Sequence, residues 1–573
     1  MSFQYSSSDS NATSGNLPFP IHTNGSRPSD PKTEPPEIIK ELVTSSITEE
    51  QLIHDVNKMY ARLCITENQC TAMKKQTQSR AELLQTRWRE LFLLHQKLLD
   101  EYVEFFLTTR DPSANPKIRN LAKEYSIPQR MWRYGVFSFL EPLRNDPSLG
   151  EFMFGFIYLS YSTIALLLES IPDFRETWIG CLGDLARYRM GVEAFDEKDR
   201  KLWAEISRCW YTKALNLSPE HGRIQHHLGI LARPDILRQF FHFTRALTSV
   251  KAFPDALDSI TKLVTPLINV PAKDNDLVTL FVTMHGALFM KRPVEEFISR
   301  ANVFLDTLRN EISKLDRHGQ QGVQLTSCNI SAIFKYGGEY GVMETDSTLE
   351  LRNPTAEDRR AAMKWASNAS SAPLQTKISP QLTFRASSLA FHTLIVMLGQ
   401  LGDPNMYPSV HISMAFIWYL TLNPAAIQRL EPLIPWSLLS TYLNTLFNSE
   451  TIISKIEDES FPLLNDIAIK PLPEDLLVRG EVWSRIYYPE NFFEGATTEE
   501  NTPSMERNSI DNARKLRCLW LGMRIARCKR WIIYDQTRRF TPTRLADELA
   551  PTAESSIYLS GNPYSLGPET SPQ

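Results

Sequence analysis

Cysteine is scarce. Cys64, Cys70, Cys181, Cys209, Cys328, Cys518 and Cys528 are scattered and odd in number, with no CxxC. That excludes a disulfide framework or structural zinc module and points to a reducing compartment. Strand-type alternation of apolar and polar residues is nearly absent, which argues against a sheet-based fold. No GxxxxGK[ST], no GxGxxG after a strand, no HExxH and no GxSxG occurs. Acidic clusters stand at Asp196, Glu197, Asp199 and at Glu457, Asp458, Glu459. Two-metal nuclease chemistry would need carboxylates gathered from several strands of an α/β sheet. His221, His226 and His227 lie near Cys209 without the ligand spacing of a zinc site. The reading is non-enzymatic: no catalytic residue, no metal and no cofactor.

A surplus of either charge is missing as well. The net charge of -4 gives no global attraction to nucleic acid, so such binding needs a local basic patch. Long apolar runs are missing with one exception, Phe152–Leu168, which carries no charge. It falls short of the roughly 20 residues a membrane span needs, and Glu151 and Glu169 bound it. A helix buried on all sides is expected there, with no membrane partner. The first twenty residues lack the basic start and apolar run of a secretory signal.

Helical pattern fills what remains. At 573 residues, two or three domains are expected. Residues 1–38, rich in Ser, Asn, Pro and Gly, read as a disordered tail, and residues 546–573 as another. Thr48 and Gln51 fit a capping box before Leu52, Val56, Met59 and Leu63 at helical spacing. The sharpest signal is "WYTKALNLSPEHGRIQHHLGILA", Trp210 to Ala232, which has the form of a junction between tetratricopeptide (TPR) repeats. Tyr211, Ala214 and Leu215 would pack one helix, Pro219 would end it, and Gly229 would allow a close crossing. "LGD" at Leu182–Asp184 carries the matching Leu-Gly of the preceding repeat. A polar, glycine-dotted stretch at about 317–380 reads as a long loop between helices.

Two stretches could hold an anion. In "CLGDLARYRM", Asp184 and Arg187 (i,i+3) or Asp184 and Tyr188 (i,i+4) describe a local surface pair. Alternatively Arg187 and Tyr188 fork onto a phosphate in a concave face. Between Arg514 and Arg544 there are ten Lys/Arg against one Asp, with Trp520, Trp531 and Tyr534 interleaved. Arg524, Arg527, Lys529 and Arg530 could there contact nucleic-acid backbone. The favoured alternative is an amphipathic helix docked on the array, its arginines facing water.

"CLGDLARYR", the repeat junction and "LRQFFHFTRALTSVKAFPDALDSITKL" together resemble the family of SMG adaptors of nonsense-mediated mRNA decay and the Ever Shorter Telomeres one protein. "RMWRYGVFSFLE" and "LPEDLLVRGEVW" look like further conserved parts of that family. The resemblance implies an all-α fold: a 14-3-3-like TPR array (39–270), a helical-hairpin domain (271–480) and a C-terminal helical segment (481–545). It implies an adaptor that binds phosphoserine or phosphothreonine segments, including those of the helicase that drives decay. Est-type members instead bind telomerase RNA or telomeric DNA, and a bare helical scaffold is the third reading. Pairing with another family member, and residence in nucleus and cytoplasm, are also implied. By resemblance Arg187 is a phosphate ligand and Tyr188 its neighbour. The family's second cation, a lysine five residues beyond the Trp, falls on Phe137 here, with Arg133 or Arg233 as substitutes. The PIN nuclease domain of some members has no counterpart.

Overall fold

Thr48 opens the first helix as a reciprocal cap. Its N–H donates to Gln51 Oε1 (3.0 Å) and its hydroxyl accepts from the Gln51 N–H (3.4 Å), satisfying two amides that a helix start leaves open. The computed structural model describes residues 48–555 except 79–83, 145, 194–195, 270–275, 316–319, 335, 337–380, 449–452, 463–470 and 495–506. The expected N-terminal tail lies outside those residues.

Helices α1 (Glu49–Gln78) and α2 (Leu84–Thr109) pack side by side. Asn115 caps α3 (Pro116–Glu124), its side chain accepting from the Ile118 N–H at 2.8 Å. From α4 (Ile127–Arg130) the chain passes through a π-helical turn, Met131–Phe137, into α5 (Ser138–Leu143). Then come α6 (Gly150–Ser170), α7 (Arg175–Val192), α8 (Glu197–Leu217), α9 (Gly222–Leu231), α10 (Ile236–Thr248) and α11 (Ala256–Ile268), each against the next. Gly183 and Gly229 permit two of these contacts. A Cβ on Gly183 would stand 2.7 Å from the Tyr211 ring, and one on Gly229 2.5 Å from that of Phe243. The repeat glycines therefore do what their spacing suggested.

The array continues through α12 (Leu277–Phe289), α13 (Val294–Glu311), α14 (Gln320–Ile333), α15 (Gln381–Leu398) and α16 (Tyr407–Thr421). Shorter helices follow: α17 (Pro424–Leu430), α18 (Trp436–Thr445), α19 (Ile453–Glu457) and α20 (Pro473–Val478). The chain then runs through α21 (Arg507–Ala526), a two-strand hairpin of β1 (Ile532–Tyr534) and β2 (Phe540–Pro542), and α22 (Arg544–Ser555). Among the described residues the fold is all-α apart from that hairpin. One core gathers side chains from Leu52 to Tyr188 and a second those from Leu237 to Leu549. Tyr211, Leu228 and Leu231 form a small cluster of their own. The C-terminal segment thus shares its core with the hairpin helices, Trp531 stacking on Trp436 at 4.8 Å.

Three expectations change. The loop expected from residue 317 gives way at Gln320 to α14, buried along its length; its Ser, Thr, Asn and Gly are small enough for neighbouring helices to close around it. Residues 337–380 lie outside the described residues. The tail expected from residue 546 starts as helix, because Leu545, Ala546 and Leu549 reach the second core. Helix α6, long and apolar enough to cross a membrane, is not buried all round. Met153, Phe156, Ile157, Ile164 and Leu167 form one buried stripe, while Tyr158 is 78% exposed and Leu166 lies open.

Candidate functional site

Asp184 is buried where α7, α8 and α9 meet, and a buried carboxylate must be paired to stay charged. Its Oδ1 accepts from the Tyr211 hydroxyl (2.6 Å) and from Arg187 Nη2 (3.3 Å); its Oδ2 accepts from Arg223 Nη2. His227 Nε2 lies 3.4 Å away, and its ring stacks on Tyr211 at 5.3 Å. Burial alone would raise the Asp184 pKa. His227, the two guanidiniums and the tyrosine O–H outweigh it, so the carboxyl stays below its ordinary value. Burial, with Arg187 and Arg223 beside it, in turn pushes the His227 pKa well below its ordinary value, against the pull of Asp184. Two arginines facing one carboxylate leave one positive charge in surplus. Arg187 Nε is already given to Tyr211 (3.2 Å), whereas the Arg223 side chain is 47% exposed.

The Asp184–Arg187 pair exists, but inside the molecule and not on its surface. The buried Tyr188 ring stays under the Arg187 guanidinium at 5.2 Å, while its hydroxyl is committed elsewhere, donating to Glu141 Oε2 at 2.9 Å. Arg189 is no solvated side chain either; it lies over the Phe154 ring at 4.2 Å and pairs with Glu193. Arg133, Arg233 and Phe137 are exposed, and none of the hydrogen bonds around Asp184 involves them. The second cation that the structure does bring to Arg187 is Arg223. Sequence reasoning passed over it, although it stands in the quoted "EHGRIQHH". Only the stacking of α9 on α8 puts it beside a residue 39 positions earlier.

The C-terminal basic stretch is mostly spent on structure. Arg514 forks onto Glu474 with two bonds of 2.9 Å, and Arg517 meets Asp475 at 2.5 Å. Arg530 forks onto Glu431 at 2.8 and 2.9 Å, and Trp531 Nε1 donates to the same carboxylate at 2.7 Å. Arg524 donates to the carbonyls of Ile456 (3.3 Å), Glu457 (3.1 Å) and Asp458, the C-terminal end of α19, where cations are favoured. Arg527 bonds the Glu457 carbonyl (2.6 Å) and pairs with Glu459. The helix docks as expected, yet Arg514, Arg517 and Arg530 are buried in ion pairs and do not face water. Of the four residues considered for nucleic acid, Lys529 is the exposed one.

With this geometry in hand, comparison with known proteins is informative. Residues 207–350 match the Est1 DNA/RNA binding domain family. EST/SMG-like protein 2 of Saccharomyces cerevisiae is 28% identical over 187 residues, 31% of this chain and 15% of that protein. A chain in the crystal structure of Est1 and Cdc13 superposes with a TM-score of 0.50 at 9% identity, over 83% of this chain and 99% of its own; this shows a shared fold. At the sequence level, the similarity to Est1- and SMG-type proteins thus covers part of this chain. The curated relative is aligned over only a small part of its own length.

The matched segment, residues 207–350, carries open cations of which the sequence had singled out Arg233 alone. Between α8 and α11, Lys213, Arg233 (in the turn after α9), Arg238 and Lys262 are exposed, and no ion pair to an acid joins them among the described residues. Burial first, and then the charges of Arg245, Arg238 and Arg208, hold His242 well below its ordinary pKa. A cluster of like charges with open members is what backbone contact requires.

Arg530→Ala should unfold the C-terminal seam. It leaves Glu431 buried without its cation, a loss of about 3–5 kcal/mol. Lys529→Ala should change stability by under about 0.5 kcal/mol, as for an ordinary surface site. Chemical denaturation of both variants checks the contrast.

Proposed function

We propose that this chain is a non-enzymatic Est1-type adaptor that binds telomerase RNA or single-stranded telomeric DNA in the nucleus. The observation that carries this reading is the coincidence of the DNA/RNA-binding match over residues 207–350 with open, unpaired cations on the same helices. Phosphodiester binding depends on such cations releasing counterions, so affinity falls steeply with salt. In fluorescence anisotropy with labelled single-stranded telomeric DNA and telomerase RNA fragments, the triple variant Arg233→Glu/Arg238→Glu/Lys262→Glu should bind about tenfold or more weakly. Its salt dependence should be shallower by about 0.7 for each phosphate that these cations neutralise. Unchanged affinity and slope would contradict the reading.

A second reading rests on the Asp184 cluster. The surplus positive charge shared by Arg187 and Arg223 suits a phosphate on a partner's serine or threonine, such as a segment of the decay helicase met in nucleus or cytoplasm. Arg223 would reach outward, with Arg187 held in place behind it by Asp184 and Tyr211. Arg187→Ala should weaken binding of a phosphorylated peptide by about 1.5–3 kcal/mol, and Arg223→Ala should do so while the fold stays intact. Calorimetric titration with matched phosphorylated and unphosphorylated peptides checks it; equal affinity for the two eliminates this reading.

A further inference from the structure

A different arginine, far from Asp184 in sequence, is buried without an acid to meet it among the described residues. Arg479 is 3% exposed. Its Nη2 donates to the neutral amide oxygen of Asn216 (2.5 Å) and its guanidinium lies over the Phe493 ring at 6.0 Å. Another cation, Arg245, stands close by, its Nη2 donating to the backbone carbonyl of Arg479 at 2.6 Å. Arg245 is balanced by Glu481 (3.3 Å). Arg479 is not balanced. Burial first, and then Arg245, bring its pKa down to about 10. A buried charge without a counterion is costly, and a ligand that brought one would relieve that cost.

The surroundings show where it could come from. Arg479 lines an open cavity of 480 Å³ at the seam between the α8–α9 turn, the segment after α10, and residues 480–493. The seam is fixed by backbone: Val250 N–H donates to the Gly480 carbonyl (3.2 Å), Val482 N–H to that of Thr248 (3.1 Å) and Lys251 N–H to that of Glu220 (2.9 Å). Pro219, Val250 and Phe493 give the cavity apolar wall. At its mouth Lys251 is engaged by Glu220 (3.1 Å) and His221 (2.8 Å), which removes both as free charges. Arg485 and Glu490 remain, both exposed. The cavity therefore holds a buried cation at its base, a free one at its rim, and one free acid.

We propose that this cavity receives an anionic side chain, a carboxylate or a phosphate, from an extended peptide segment of a partner protein, with Arg479 as the buried counter-charge and Arg485 as the outer one. Peptide is favoured over nucleic acid by the walls and the rim. A polynucleotide brings evenly spaced phosphates that need a row of cations, and here only Arg479 and Arg485 are free, with Glu490 to repel a flanking phosphate. One enclosed cation beside proline, valine and phenylalanine suits a single acidic side chain flanked by apolar neighbours. This site goes beyond both readings above, since it shares no residue with the cations of α8–α11 or with the Asp184 cluster.

The test uses arrays of short peptides with a fixed central Glu, phosphoserine, Gln or Ser and randomised flanks, probed with the full chain. Glu- or phosphoserine-centred peptides should be retained about tenfold over the Gln and Ser sets, as one charge-assisted hydrogen bond would give. The two anionic arms tell carboxylate from phosphate. The preference should disappear in Arg479→Gln and in Arg485→Glu and persist in Arg223→Ala. Arg485 is exposed, so its variant keeps the test decisive should Arg479→Gln fail to fold. Equal retention of all four sets overturns the proposal, as does a preference that survives Arg485→Glu. So does single-stranded RNA binding that is abolished in the same variants while no peptide set is preferred.

Discussion

Glu481 is wholly buried where the Est1-type helices meet the C-terminal segment, and it joins the two. Its carboxylate accepts from the Ser327 hydroxyl (2.8 Å) on α14 and from Trp483 Nε1 (2.7 Å), and faces Arg245 on α10 at 3.3 Å. Burial pushes its pKa up, against the pull of Arg245 and the two donors. Such a group tolerates no loss of partner, so α10, α14 and residues 480–484 are held in one arrangement. The seam cavity and the burial of Arg479 lie beside that junction.

The same economy of charge runs through the molecule. Glu431, Glu474, Asp475 and Asp184 are each buried and each claims one or two arginines. A chain with a net charge of -4 therefore has far fewer cations free for ligands than its arginine-rich stretches suggest. What stays open lies on α8 to α11, at the mouth of the Asp184 cluster, and at the rim of the seam cavity. The cations that the buried carboxylates leave over are the ones open to a ligand.

That distribution explains what could be read from sequence. Local features were legible because their causes are local: the Thr48–Gln51 cap and the repeat glycines at 183 and 229. The helical class and the Est1/SMG resemblance came from the same short motifs. Helix α14 was missed because small polar residues mask helical periodicity, although they are what lets α10 and α16 approach it. The ion pairs were missed because Arg530 and Glu431, or Arg514 and Glu474, are separated by 99 and 40 residues. A run of arginines looks the same in sequence whether it faces water or a buried carboxylate. Arg223, Asn216 and Arg479 become meaningful only once α8 and α9 are folded against their neighbours.

The central claim is that the open cations of α8 to α11, and not the basic C-terminal stretch, meet nucleic acid. Photo-crosslinking of the full chain to single-stranded telomeric DNA and telomerase RNA, with the attached peptides identified by mass spectrometry, tests it most directly. The account predicts crosslinks clustered between Lys213 and Lys262 and sparse ones between Arg524 and Arg544. Crosslinks concentrated around Lys529, Arg538 and Arg539, with none on α8 to α11, would contradict it.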